Sequence, residues 1–199
     1  MKYKVNKSFN ISIGFAVNAE HVLKATKKTN QILSDLPASL YSCIDFKTVS
    51  AIVGAIYCDT LAGFCKCIVN PIEKGHPDLL PTSARGASEA KLRNYPEGLE
   101  IKSTVGNVTQ GANLRAGTKR ISQLTAITWQ AHHREVRELM GLSWDFANEK
   151  PSFIFPCITG VFYTDALETS DWGAISGTTG RNTKVTGMTA SGKTKMGTG

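Results

Sequence analysis

Apolar residues recur at helical spacing over residues 19–36, where Val22, Leu23, Ala25, Ile32 and Leu33 stand among lysines. A second run, residues 46–64, carries Val49, Ile52, Val53, Ile56, Tyr57 and Leu61 with fewer charges, and predicts a more deeply buried helix. Residues 68–69 are a short apolar step that ends at Asn70-Pro71. The texture then changes. Residues 99–105 alternate as a strand does, while 112–124 have helical character that Gly117 weakens. Residues 124–131 (LTAITWQA) and 153–164 (FIFPCITGVFYT) are rich in β-branched and aromatic side chains and predict strands. The apolar run 11–17 reads as a buried strand or a helix start, and residues 173–199, full of Gly, Thr and Ser, as turns and short hairpins. Helices first, then strands with one further helix, predict an α/β (α+β) protein of a single domain, residues 1–199.

A chain of 199 residues can bury one sizeable core. The formal net charge of +7 suits a polyanionic partner. The cations are clustered: residues 173–199 hold Arg181, Lys184, Lys193 and Lys195 without an acid, and residues 106–123 hold Arg115, Lys119 and Arg120 without one. Such clusters favour a bound anion over general solubility. Five cysteines, an odd number with three in apolar segments, predict reduced thiols in a cytoplasmic protein. Cys65-Lys66-Cys67 has C-x-C spacing, not the C-x-x-C of structural zinc sites. Lys2, Lys4 and Lys7 before residues 11–17 imitate a signal peptide, but the apolar run is short and contains Ser12 and Gly14. No stretch is expected to approach the ~20 apolar residues of a membrane span.

The segment GMTASGKT, residues 187–194, matches the phosphate-binding pattern G-x-x-x-x-G-K-[ST]. That loop needs a helix leaving it, and only Lys-Met-Gly-Thr-Gly follows Thr194, so no such helix is expected. The segment then reads as an anion-binding stretch in which Lys193 and Lys195 meet phosphates.

The chemistry-bearing pattern lies upstream. Asp78 stands in KGHPDLLP and Glu100-Ile101-Lys102 in GLEIKSTV. On a strand, side chains i and i+2 share a face, so Glu100 and Lys102 are expected together with Leu99 and Ile101 inward. Asp78 from a neighbouring segment completes an acidic pocket suited to a hard divalent cation. Acid-x-lysine occurs three times, but Glu89-Ala-Lys91 is in a helix-favouring stretch and Asp45-Phe-Lys47 at a helix start. The plainer reading of Glu100 and Lys102 is an exposed strand face with a cross-strand ion pair.

Pro77-Asp78, twenty-one residues, then Glu100-Ile-Lys102 resembles the PD-(D/E)xK nuclease superfamily. Size, charge and texture are most similar to its Type II restriction endonucleases, with the resemblance covering roughly residues 46–131. It implies a restriction-endonuclease-like fold, a central mixed sheet flanked by helices, with its core at about 46–164 and a DNA-contacting segment at 173–199. It implies Mg²⁺ held by Asp78, Glu100 and the Ile101 carbonyl, and a catalytic Lys102. A further acid from a helix is common in the family; Asp59 is the candidate, with Glu20 and Asp45 as rivals. The reaction implied is hydrolysis of double-stranded DNA to 5′-phosphate and 3′-hydroxyl ends. A homodimer fits two-fold symmetric sites. The resemblance also implies action alongside a cognate DNA methyltransferase, away from any membrane.

Base-reading side chains are sought among Arg, Lys, Asn and Gln. Gln110, Asn113 and Arg115 follow the proposed catalytic strand, and Gln130, His132, His133 and Arg134 end another. Arg181, Lys184, Lys193 and Lys195 join them as DNA contacts. Adjacent histidines on a strand face opposite ways, which favours DNA over one shared metal. Trp129, Trp144 and Trp172 are expected in the core. Three other readings stay open: a repair or recombination nuclease of the same fold, a non-catalytic DNA-binding protein, and a P-loop phosphotransferase.

Overall fold

A computed structural model describes residues 3–73, 75–105, 129–131, 134–150, 153–176 and 185–198. The protein is a mixed α/β chain of two compact units, Met1–Ile101 with Phe146–Ile158, and Lys102–Asp145 with Thr159–Gly199.

In the first unit, β1 (Asn10–Ser12) and β2 (Ala16–Asn18) pair antiparallel, so the apolar run at the N-terminus is a hairpin. Asn18 ends it and caps α1 (Ala19–Asp35), its side-chain oxygen accepting from the His21 N–H at 2.9 Å. Val22, Ala25, Thr26, Thr29 and Leu33 recur every three or four residues and form the buried stripe of α1. A short helix, α2 (Ala38–Cys43), follows Pro37, and Tyr41 donates to the Leu33 carbonyl at 2.8 Å. Asp45 caps α3 (Phe46–Cys65) by accepting from the Thr48 N–H, and Lys66 in the left-handed region ends it. α1 packs on α3, where the Thr29 and Thr60 hydroxyls meet at 2.8 Å in the interior.

By length and composition alone α3 could cross a membrane, which corrects the expectation that no stretch approaches a span. Its stripe of Val49, Val53, Tyr57, Leu61 and Cys65 is buried. The core helix of a water-soluble fold passes the same test of length and composition.

Next come β3 (Ile68–Val69) and β4 (Leu79–Leu80), paired antiparallel, then α4 (Glu89–Leu92) and β5 (Glu100–Val105). Leu80, Ala84, Leu92 and Tyr95 form a small core under these segments, joined by Ile68, Ile72 and Ala87. β7 (Leu139–Lys150) and β8 (Phe153–Thr164) complete a three-stranded sheet of order β5–β7–β8. On β8, Ile158 finds both its backbone groups occupied by Asn30: its N–H donates to Oδ1 at 2.8 Å and its carbonyl accepts from Nδ2 at 3.2 Å.

The second unit is built on Trp129, Ala131, Val136, Leu139, Leu167, Trp172, Met188 and Met196. The Trp172 indole N–H donates to the Val136 carbonyl at 3.1 Å. Trp129 lies against the backbone of Gly141, where any Cβ would overlap its ring. Trp144 is also buried, so all three tryptophans are interior. β6 (Gln130–Ala131) pairs antiparallel with β9 (Thr186–Gly187).

The chain then makes a nine-residue helix, α5 (Ala190–Thr198). This corrects the expectation that the C-terminal stretch is all turns and hairpins and too short for a helix after GMTASGKT. Helix propensity is poor in ASGKTKMGT, and tertiary packing overrides it. Met196 is buried in the tryptophan core, and the Lys195 ammonium lies 2.6 Å from an Asp171 carboxylate oxygen.

Candidate active site

The segment that carries Asp78 is fixed by its backbone. Asn70, just after β3, donates from its side chain to the carbonyls of Pro77 (3.0 Å) and Leu92 (2.9 Å). Its own N–H donates to the Asp78 carbonyl at 2.8 Å. One residue on, Leu79 and Leu99 exchange both backbone hydrogen bonds, at 3.0 and 2.9 Å, as an antiparallel bridge. Gly98 permits that approach. Its φ of +139° is in glycine territory, and a Cβ would collide with the Leu79 carbonyl oxygen.

An antiparallel pairing of Leu79 with Leu99 sets Asp78 opposite Glu100. Asp78 Oδ2 accepts from the Ile101 N–H at 2.7 Å. Leu99 and Ile101 are buried, as expected of the inward positions. Glu100 is also buried, only 5% exposed. The strand face is therefore not the open one that the simplest ion-pair reading requires.

Glu100 has a neighbour that the sequence did not announce. His76 Nδ1 lies 2.7 Å from Glu100 Oε2. The His76 N–H donates to the Leu92 carbonyl at 3.3 Å, and its carbonyl accepts from the Tyr95 N–H at 2.8 Å. His76 stands two residues before Asp78 in KGHPD, and that nearness was the available signal. Lys102 follows on β5, two residues beyond Glu100, and is half-buried.

Two opposed carboxylates are oxygen donors that fit a hard cation. Among the described residues no group of three His, Cys, Asp or Glu side chains is gathered for a metal. Zinc sites usually need three or four such ligands, whereas Mg²⁺ often takes one or two carboxylates and fills its octahedron with water and phosphate. Asp78, Glu100 and a backbone carbonyl at Ile101 are compatible with the second pattern.

The remaining candidates divide clearly. Asp59 is exposed on α3. Its rivals have other partners: Glu20 pairs with Lys24 at 2.7 Å, and Asp45 caps α3. Gln130 is exposed on β6, and Arg134 donates to the Thr169 carbonyl at 3.0 Å. Lys193 is half-buried on α5. Lys195 lies 2.6 Å from an Asp171 carboxylate oxygen, with Glu168 at 3.7 Å. Gln110, Asn113, Arg115, His132, His133, Arg181 and Lys184 lie outside the described residues.

The GMTASGKT segment is strand, two residues, then helix, because β9 ends at Gly187 and α5 begins at Ala190. Ala190 to Gly192, which a phosphate-binding loop keeps non-helical, are already in the helix.

No family model, curated protein or solved structure matches the chain.

Proposed function

We propose that the chain is a Mg²⁺-dependent, sequence-specific endonuclease of double-stranded DNA, a Type II restriction enzyme with a restriction-endonuclease-like fold. One observation carries this reading: the pairing of Leu79 with Leu99 sets Asp78 opposite Glu100 at the start of the strand that continues into Lys102. Net charge of +7 supports a polyanionic substrate.

The reaction is phosphodiester hydrolysis by water, in line with the leaving 3′ oxygen, to give 5′-phosphate and 3′-hydroxyl ends. Mg²⁺, when bound, supplies positive charge that polarises the phosphoryl oxygens. Asp78 and Glu100 bind the cation through their carboxylates, and the Ile101 carbonyl offers a further oxygen. The Lys102 ammonium orients the attacking water and offsets the negative charge that develops. In this reading the enzyme works in the cytoplasm as a homodimer, with a methyltransferase protecting the host's own sites.

Plasmid digestion with and without Mg²⁺ tests the proposal. Discrete bands that require Mg²⁺ support it. Smearing or junction-limited cutting points to a repair or recombination nuclease. Absence of cutting sinks the catalytic reading and favours a non-catalytic DNA binder, in which the buried contact of Glu100 with His76 is structural.

A further inference from the structure

Glu100 must keep an oxygen in position for a cation while standing opposite a second carboxylate. Two carboxylates across a strand pair repel each other, so Glu100 needs a group that holds it. Being buried, it has little bulk water to supply that hold. His76 is placed to supply it. The separation of 2.7 Å is at the short end for N–H···O and characteristic of charge-assisted bonds. A cation-binding Glu100 is ionised and can only accept, so Nδ1 carries the hydrogen.

The main chain that carries His76 is itself held. It is pinned to Leu92 and Tyr95, both buried in the small core beside the site. Asn70 ties the same Leu92 carbonyl to Pro77, next to Asp78. The supports of the two carboxylates thus share one backbone acceptor. Groups that orient metal ligands in this way commonly set metal affinity by about 10–100-fold.

We propose that His76 is a positioning residue for Glu100, fixing the carboxylate for divalent-cation binding. The inference rests on the nuclease reading and adds a residue to it. A histidine that merely satisfied a buried acid would affect stability and leave cation affinity in the folded protein unchanged.

The test uses the full chain and two readouts: Mg²⁺ uptake by titration calorimetry, and the Mg²⁺ concentration giving half-maximal plasmid cleavage. His76→Ala is expected to weaken both by about tenfold or more. His76→Asn keeps an N–H donor near the Nδ1 position and is expected to stay within about threefold of the wild type. Thermal unfolding confirms that each variant is folded. If His76→Ala fails to fold, His76→Gln replaces it, its donor being one bond too far out, and the same weakening is expected. Wild-type uptake and cleavage with an unchanged affinity in the Ala or Gln variant overturn the inference and leave the nuclease reading standing. Equal weakening in Asn and Ala also overturns it. Wild-type protein that neither takes up Mg²⁺ nor cleaves overturns the nuclease reading, and this inference with it.

Discussion

Asp78 Oδ2 accepts the backbone N–H of Ile101 at 2.7 Å, so an acid from one segment fixes the strand that carries the other acid. The bond makes two roles of Asp78 separable. Asp78→Asn keeps an acceptor for Ile101 and should fold nearly as well as wild type, yet lose Mg²⁺-dependent cleavage. Asp78→Ala should lose cleavage and also about 1–3 kcal/mol of stability, because the Ile101 N–H loses its partner. Urea unfolding beside plasmid cleavage checks both. An active Asp78→Asn protein would remove the carboxylate from the mechanism.

Gly98 tests whether the site depends on the close approach of Leu79 and Leu99. Gly98→Ala forces a side chain onto a φ of +139° and into the Leu79 carbonyl. A loss of at least about 1–3 kcal/mol is expected from backbone strain, read as a lower urea midpoint. Cleavage should fall as well, although residue 98 offers the reaction no functional group.

Lys193 and Lys195 should behave differently. Lys193→Ala should weaken DNA binding similarly for all sequences and reduce the salt dependence by about one unit in the log–log slope. Lys195→Met should instead loosen α5, because Lys195 is paired with buried Asp171. Equal loss of DNA affinity in the two variants, with neither destabilised, would refute the division.

That ion pair has a pH signature. Burial alone would raise the Asp171 carboxyl, but bonds from Lys195, the Glu168 N–H and Ser191 outweigh it and hold the pKa below the ordinary range. The hydrogen bond to Asp171 raises the Lys195 ammonium. A lowered acid pKa contributes stability above the unfolded value, about 3.9, and loses it as pH falls through the folded one. A raised lysine pKa contributes below about 10.4 and loses it as pH rises through the folded value. The stability gap between wild type and Lys195→Met should therefore be widest near neutrality and close in strong acid and strong base. Urea midpoints across pH measure it, and a flat gap would contradict the pairing.

The interior contact of Thr29 with Thr60 gives a double-mutant test. The Thr60 hydroxyl is also within 3.0 Å of the carbonyls of Ile56 and Tyr57. Thr60→Val should cost about 1–3 kcal/mol by stranding the Thr29 hydroxyl, and adding Thr29→Val should recover part of it. Strict additivity of the two changes would show that the hydroxyls are not coupled.

Periodicity revealed what it physically encodes. α1 and α3 each bury one stripe, and their spacing is plain in the sequence. The stretch 99–105 alternates enough to mark β5, and 153–164 is apolar enough to mark β8. β7 was not foreseen because Leu139 to Asp145 are buried without a break, so its Gly, Ser and Asp show no alternation. α5 was missed because Met196 and Lys195 find partners from distant segments, which local propensity does not report. At the site, the sequence suggests only that Asp78 comes from a segment neighbouring Glu100, and the bridge of Leu79 with Leu99 joins those two segments. His76 was not foreseen, because its contact follows from a backbone path through Leu92 and Tyr95 rather than from spacing.

Among the described residues β8 is an outer strand of its sheet, and at Ile158 the amide of Asn30 takes both the hydrogen and the oxygen that another strand would use. That edge is closed to ribbon-like growth there. Two copies of the chain could not join their sheets through Ile158 without first evicting that amide. If the chain acts as the proposed homodimer, its two sheets do not join at Ile158.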